Sequence, residues 1–150
     1  MATRPGELGL EMTRVLPAAP SVVFAAFSGA NELSKWWGPQ GFTTPSVEVD
    51  PRVGGAYRIE MQAPEGDPFH LTGEFREVDP PDRLAYTFVW EPPDSDDIET
   101  LVRLSFRDLD GSTEVTLTQG PFKTEARRAL HVDGWTDSFD KLENLLSVRT

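Results

Sequence analysis

The 150 residues predict an α+β fold: a curved antiparallel sheet of about six to seven strands against one long C-terminal helix, with two short helices after the first strand. Three observations predict it. Between Val47 and Leu117 apolar residues recur at every second position, in runs separated by short turns. From Thr124 to about Val148 the period becomes helical, and Gly134 is the sole breaker. Ahead of the alternating runs, two short apolar stretches follow a first strand.

The elements follow in order. Leu8, Leu10 and Met12 alternate with Gly9, Glu11 and Thr13, a strand over 8–16 that ends before Pro17. Pro20 suits a first helical turn, Ser21 can cap it, and Val23, Phe24 and Phe27 form its stripe. A second short helix covers 31–37, with Asn31 as cap and Gly38-Pro39 as stop. Val47 and Val49 lie on a strand ending at Asp50-Pro51, and Gly54-Gly55 marks a turn or bulge. Tyr57, Ile59, Met61 then share one face, as do Phe69, Leu71, Phe75 and Leu84, Tyr86, Phe88, Trp90. Ile98, Thr100, Val102, Leu104 and Phe106 make a further strand, Asp110-Gly111 is a hairpin turn, and Val115 and Leu117 close the series. Short connections favour antiparallel neighbours. In the last segment His131, Trp135, Phe139, Leu142 and Leu146 fall on one side of a helix. About 24 residues give a rod of roughly 36 Å, long enough to cross the sheet.

A chain of this length is expected to be a single domain over 1–150, with 1–7 a loose leader. Lys and Arg number 14 against 25 Asp and Glu, a formal net charge of -11. That excludes a basic surface for nucleic acid and disfavours anionic membranes. There is no cysteine, so disulfides, thiolate metal sites and thiol catalysis are ruled out. No apolar run is long enough for an integral membrane span, and the N-terminus lacks a signal-peptide core, so a cytoplasmic location is expected.

A bent sheet under a straight helix leaves room at its open end. The inner face carries Tyr57, Phe69, Phe75, Tyr86, Phe88, Trp90 and Phe106, and the helix adds Trp135 and Phe139. Such walls suit a small apolar ligand, although large rings also fill ordinary cores. The candidate ligand-binding residues are Trp36, Tyr57, Ile59, Met61, Leu71, Phe75, Tyr86, Phe88, Trp90, Leu104, His131, Trp135 and Phe139.

Of two histidines, His131 lies on the inner stripe. It can face a cavity and move a proton, or sit at the core edge bonded to backbone, and the second is the commoner state of a lone histidine. His70 alternates onto the polar face. Two separated histidines make a poor metal set, and Asp94, Asp96, Asp97 and Glu99 lack the spacing of a calcium loop. Nucleophile-elbow, phosphate-loop and dinucleotide patterns are missing, so no catalytic residue, metal or cofactor is assigned. In 50–55 the glycines permit positive φ or close approach, and Arg52 can pair with Asp50. Of Trp36 and Trp37, one is expected to plug the cavity mouth and the other to be exposed.

Several segments together resemble one family. They are Thr13-Arg14-Val15 with Ala19-Pro20 and Val23-Phe24, then Trp36-Trp37-Gly38-Pro39, then Asp50-Pro51-Arg52-Val53-Gly54-Gly55-Ala56-Tyr57. Gly73-Glu74-Phe75, Leu84-Ala85-Tyr86-Thr87-Phe88 and His131-Val132-Asp133-Gly134-Trp135 complete the set. Over about 9–147 the chain is similar to the activator of heat-shock-protein-ninety ATPase homologue family, within the SRPBCC superfamily. The resemblance implies the helix-grip fold, with a hydrophobic cavity between sheet and C-terminal helix, and transfers no catalytic residue. The co-chaperone that names the family carries an additional N-terminal domain without counterpart in these residues, so a chaperone partner is not the expectation.

Three functions are therefore open. The first is non-catalytic binding of a small hydrophobic or amphipathic molecule, lipid or polyketide-like. The second is a cyclase- or hydrolase-type enzyme in the same cavity, using His131 with Tyr57 or Tyr86. The third is a protein-interaction module with an exposed patch near Trp36, Trp37 or Asp96. Homodimer formation is left open by the sequence.

Overall fold

Seven strands form one antiparallel sheet in the order β1-β7-β6-β5-β4-β3-β2. This is a computed structural model, and it describes residues 8–38, 41–93 and 97–149. The leader expected over 1–7, Pro39, and Asp94 and Asp96 of the acidic loop lie outside the described residues. The strands are β1 (Leu8–Leu16), β2 (Thr43–Val49), β3 (Ala56–Gln62), β4 (Phe69–Asp79), β5 (Arg83–Glu91), β6 (Thr100–Asp108) and β7 (Thr113–Phe122). Helices α1 (Pro20–Ser28) and α2 (Ala30–Trp36) carry the chain from one sheet edge to the other, and α3 (Glu125–Arg149) follows β7. This is the expected helix-grip α+β architecture. No helix of the described residues is long and apolar enough to cross a membrane.

Side-chain parity decides which face is inner. Tyr57, Ile59 and Met61 are buried, as are Leu71 and Phe75, Leu84, Tyr86 and Phe88, and Val102, Leu104 and Phe106. Sequence alternation alone does not reveal the bend. In β4, Phe75 pairs with Tyr86 and Glu77 with Ala85, so Arg76 is an extra residue opposite β5. Such a bulge sharpens local twist and curls the sheet. Here Ala85 and Thr87, on the face expected to be polar, are also buried, and the Thr87 hydroxyl accepts the Glu74 N–H at 2.8 Å.

Element ends differ from the sequence expectation where capping was invoked. Neither Ser21 nor Asn31 caps a helix. Ala19 and Gly29 are the N-caps, without side-chain hydrogen bonds, and Asn31 lies inside α2. β2 begins at Thr43 and β7 runs to Phe122, both longer than their apolar runs. Ile98 precedes β6 and is 46% exposed. At the 50–55 turn, Arg52 Nε donates to Asp50 Oδ2 at 2.8 Å, Gly54 has φ +84, and a Cβ on Gly55 would overlap the Asp50 carbonyl oxygen.

Where α3 meets the sheet, its C-terminal half is closed into the core. Phe139, Leu142 and Leu146 are at most 1% exposed. Phe139 stacks at an angle on Phe27 with 6.2 Å between ring centroids, and the Arg14 guanidinium of β1 lies 5.7 Å above its ring. Arg14 also pairs with Asp140 at 3.0 Å and Glu143 at 3.1 Å. Arg14 is three-quarters covered, so its aliphatic stem contributes packing as well as charge.

Phe139→Ala is expected to lower unfolding free energy by about 3–5 kcal/mol, the usual range for deleting a buried ring. Urea denaturation checks it: the midpoint should fall with the slope unchanged.

Candidate functional site

The two halves of α3 meet different surroundings. Its C-terminal half is pressed into the core, whereas toward its N-terminus Leu130 is 57% exposed and His131 and Val132 are only partly buried. Beneath this half lies a hollow of about 490 Å³. α3 supplies Arg127, Leu130, His131, Gly134, Trp135 and Ser138. The sheet supplies Met61, Phe69, Phe88 and Trp90, and the connections supply Trp37, Gly38, Phe42, Pro92 and Asp97. The size is that of small-molecule sites, and rings dominate the wall.

Five of the thirteen candidate residues line it: Met61, Phe88, Trp90, His131 and Trp135. The other eight do not. Trp36 is fully buried against Phe27, and its indole donates to the Ala26 carbonyl at 3.0 Å. Tyr57, Ile59, Phe75 and Tyr86 border only a crevice of about 10 Å³ on the α1–α2 side. Leu71, Leu104 and Phe139 are closed into the core. The rings of Tyr57, Phe75 and Tyr86 pack on one another at 5.3–5.9 Å, which fills the space that parity alone left open. Both Trp36 and Trp37 are buried, at 0% and 6%, so the exposed indole expected as a docking patch is absent from the described structure.

Most of the residues missed from sequence are of two kinds, Phe69 being an inner-face residue of β4 left out of the candidate list. Ser138 and Arg127 stand on the His131–Trp135 stripe at helical spacing, a signal hidden by following apolar residues only. Trp37, Phe42, Pro92 and Asp97 come from irregular segments, where no periodicity reports on burial. Gly38 has φ +97, a conformation natural to glycine, and a Cβ there would stand 3.2 Å from Met61 Cε.

The polar atoms of the wall are largely committed. The Trp90 indole donates to His131 Nε2 at 3.0 Å, and His131 Nδ1 lies 2.7 Å from the Arg127 carbonyl. An indole can only donate and a carbonyl can only accept, so the imidazole is neutral with its proton on Nδ1. Burial pushes the His131 pKa down. The backbone bond at Arg127 and the Asp97 charge oppose that shift, and the Arg127 charge adds to it. Trp135 donates to Gln119 Oε1 at 2.8 Å, and Gln119 donates on to Thr100 at 2.9 Å. Asp97 and Arg127 pair at 3.3 Å with side chains 8% and 18% exposed. Among the described residues no three His, Asp or Glu side chains converge as a metal site.

Acid–base chemistry finds little support. His131 Nε2 is occupied by Trp90. Tyr57 and Tyr86 have pKa values raised, above all by burial, so both remain protonated, and the Tyr57 hydroxyl is spent on the Thr87 carbonyl at 2.6 Å. Neither tyrosine lines the hollow.

Comparison with known proteins adds the lineage. The family model described as Activator of Hsp90 ATPase homolog 1-like protein matches residues 17–147. A protein of Chromobacterium violaceum of solved structure is 28% identical, covers 92% of this chain and 96% of its own, and superposes with TM-score 0.84. The AHSA1 protein of Silicibacter pomeroyi is also 28% identical, covering 95% and 99%, with TM-score 0.83. A Rhodobacter sphaeroides protein is 26% identical, covering 94% and 93%, with TM-score 0.80. No curated protein is found to match the chain.

The His131 geometry fixes a pH dependence. The unfolded chain takes up a proton near pH 6.5, and the folded chain only at lower pH. Below 6.5 the unfolded state therefore binds more protons, and acid destabilises the fold. The contribution is present in full above that value and lost as pH falls through the folded pKa. Urea midpoints followed downward from pH 8 should show this loss, and His131→Gln should remove that component of the slope.

Proposed function

The chain belongs to the activator of Hsp90 ATPase homolog 1-like family, and from that premise we propose that it binds a small hydrophobic or amphipathic molecule in the hollow under α3 without transforming it. The observation that carries this reading is a cavity of about 490 Å³ walled by Trp37, Trp90, Trp135, Phe88 and Met61, in which each buried side-chain polar atom of the described residues has at least one partner within the protein. An apolar ligand entering it gives up contact with water and displaces no protein hydrogen bond. A lipid chain or polyketide-like ring system matches that chemistry. The Asp97–Arg127 pair at one end offers charged groups to the polar end of an amphipathic molecule.

The enzyme reading lacks a free base at the wall, for the reasons given for His131 and the tyrosines. The interaction-module reading loses its indole patch, because Trp36 and Trp37 are inside. Binding within one domain is thus the function the geometry favours.

Three of four tryptophans border the hollow, so their emission reports occupancy. Titration with medium-chain fatty acids and polycyclic aromatic compounds should change the fluorescence of at least one class in a saturable way. At ligand concentrations a hundredfold above Kd the stability gain is about 2.7 kcal/mol, a rise in Tm of roughly 5–10 °C. An unresponsive chain across both classes sinks the proposal. Gly134→Leu should weaken binding by narrowing the hollow, with Tm held or raised, since glycine inside a helix costs about 1 kcal/mol.

A further inference from the structure

Several helical hydroxyls in this chain donate back along their own helix, Ser34 to the Asn31 carbonyl three residues earlier at 2.6 Å and three others by a full four. Ser28 donates to the Phe24 carbonyl at 2.9 Å, Thr136 to Val132 at 2.8 Å and Ser147 to Glu143 at 2.8 Å. Each bonds four residues back along its own helix, the ordinary outlet for a serine or threonine there. Ser138 departs from it. It is 5% exposed, it lines the hollow, and its Oγ accepts the Gly38 N–H at 3.1 Å. Among the described residues no carbonyl receives its proton. A hydroxyl has one hydrogen to give and two lone pairs, so Gly38 uses an acceptor position and leaves the donor unspent.

The surroundings select what can take that donor. Ser138 stands beside Trp37, Gly38, Gly134 and Trp135. The cation near this end, Lys141, is outside the lining, and its ammonium reaches the Trp37 carbonyl at 3.4 Å and feels the Asp137 charge. A carboxylate placed there would lose its hydration with no cation in the wall to meet it. Arg127, the cation of the lining, lies roughly 16 Å away along α3 and is paired with Asp97. A neutral oxygen acceptor meets the need at no charge penalty. We propose that the hollow takes its ligand carbonyl-first, with a neutral ketone-type oxygen at the buried end accepting the Ser138 hydroxyl proton and an apolar, flat body along the aromatic wall. This rests on the binding reading above and narrows it to carbonyl-bearing apolar molecules, in one orientation.

The test uses 9-fluorenone and fluorene, two rigid molecules of nearly one shape that differ by the carbonyl. Their dissociation constants are measured by calorimetry on the intact chain and on Ser138→Ala. Comparing ratios removes the difference in hydrophobicity between the two probes and isolates the coupling. The fluorenone-to-fluorene affinity ratio should fall about fivefold in Ser138→Ala, the worth of one neutral hydrogen bond, with fluorene itself little affected. An unchanged ratio, with both probes bound, overturns the carbonyl assignment and leaves the binding reading intact. Failure of both probes to bind the intact chain overturns the carbonyl assignment, and an unresponsive fatty-acid series beside it removes the binding reading itself. Since Ser138→Ala also strips Gly38 of its acceptor, infrared spectroscopy of bound fluorenone on the intact chain gives a second measure. Its carbonyl stretch should lie below the frequency in an alkane solvent, and a stretch at the alkane position counts against the proposal whether or not the variant folds.

Discussion

A straight helix cannot follow a bent sheet along its whole length, and this mismatch governs the molecule. The bulge at Arg76 in β4 curls the sheet, while α3 runs through 25 residues. Contact is complete where Phe139, Leu142 and Leu146 enter the core and Arg14 locks β1 to Asp140 and Glu143. Toward the other end the helix is held to β1 by Arg128, which donates to the Gly9 carbonyl at 2.6 Å, and the vacancy collects where Met61, Phe69 and Phe88 line the hollow with it. The hollow is thus a consequence of geometry.

Polar contacts fix the shape of that vacancy. The indoles of Trp90 and Trp135 are held by His131 and by Gln119, so two of the largest rings are anchored at their nitrogen atoms. A ring held at its edge cannot swing into an empty space as an unanchored one can, and preformed walls reduce the ordering cost of binding. Gly38 and Gly134 work to the same end by contributing no bulk at the lining.

The fold was legible because its two periods are clean. β3, the first half of β4 and β5 place the expected residues inward, and α3 begins within one residue of its expected start. The candidate site was legible only in part. Period two says that Tyr57 and Phe88 share a face, but not that Tyr57 is covered by Phe75 and Tyr86 while Phe88 looks into open space. That distinction depends on sheet curvature and on the lift of α3, both collective properties of distant residues. The same holds for Asp97 and Arg127, thirty positions apart and joined only by the fold.

The position of β1 has a consequence for assembly. It is the first strand of the chain, yet its neighbour in the sheet is β7, the last. β2 to β7 form by successive local hairpins, each with a short loop to close. β1 waits for a partner made only after the whole meander, so its pairing carries the largest loop entropy in the sheet. During synthesis on a ribosome this edge is the last to be satisfied. Until then the apolar side of β1, with Leu10 and Leu16, stays available to chaperones or to a neighbouring nascent chain.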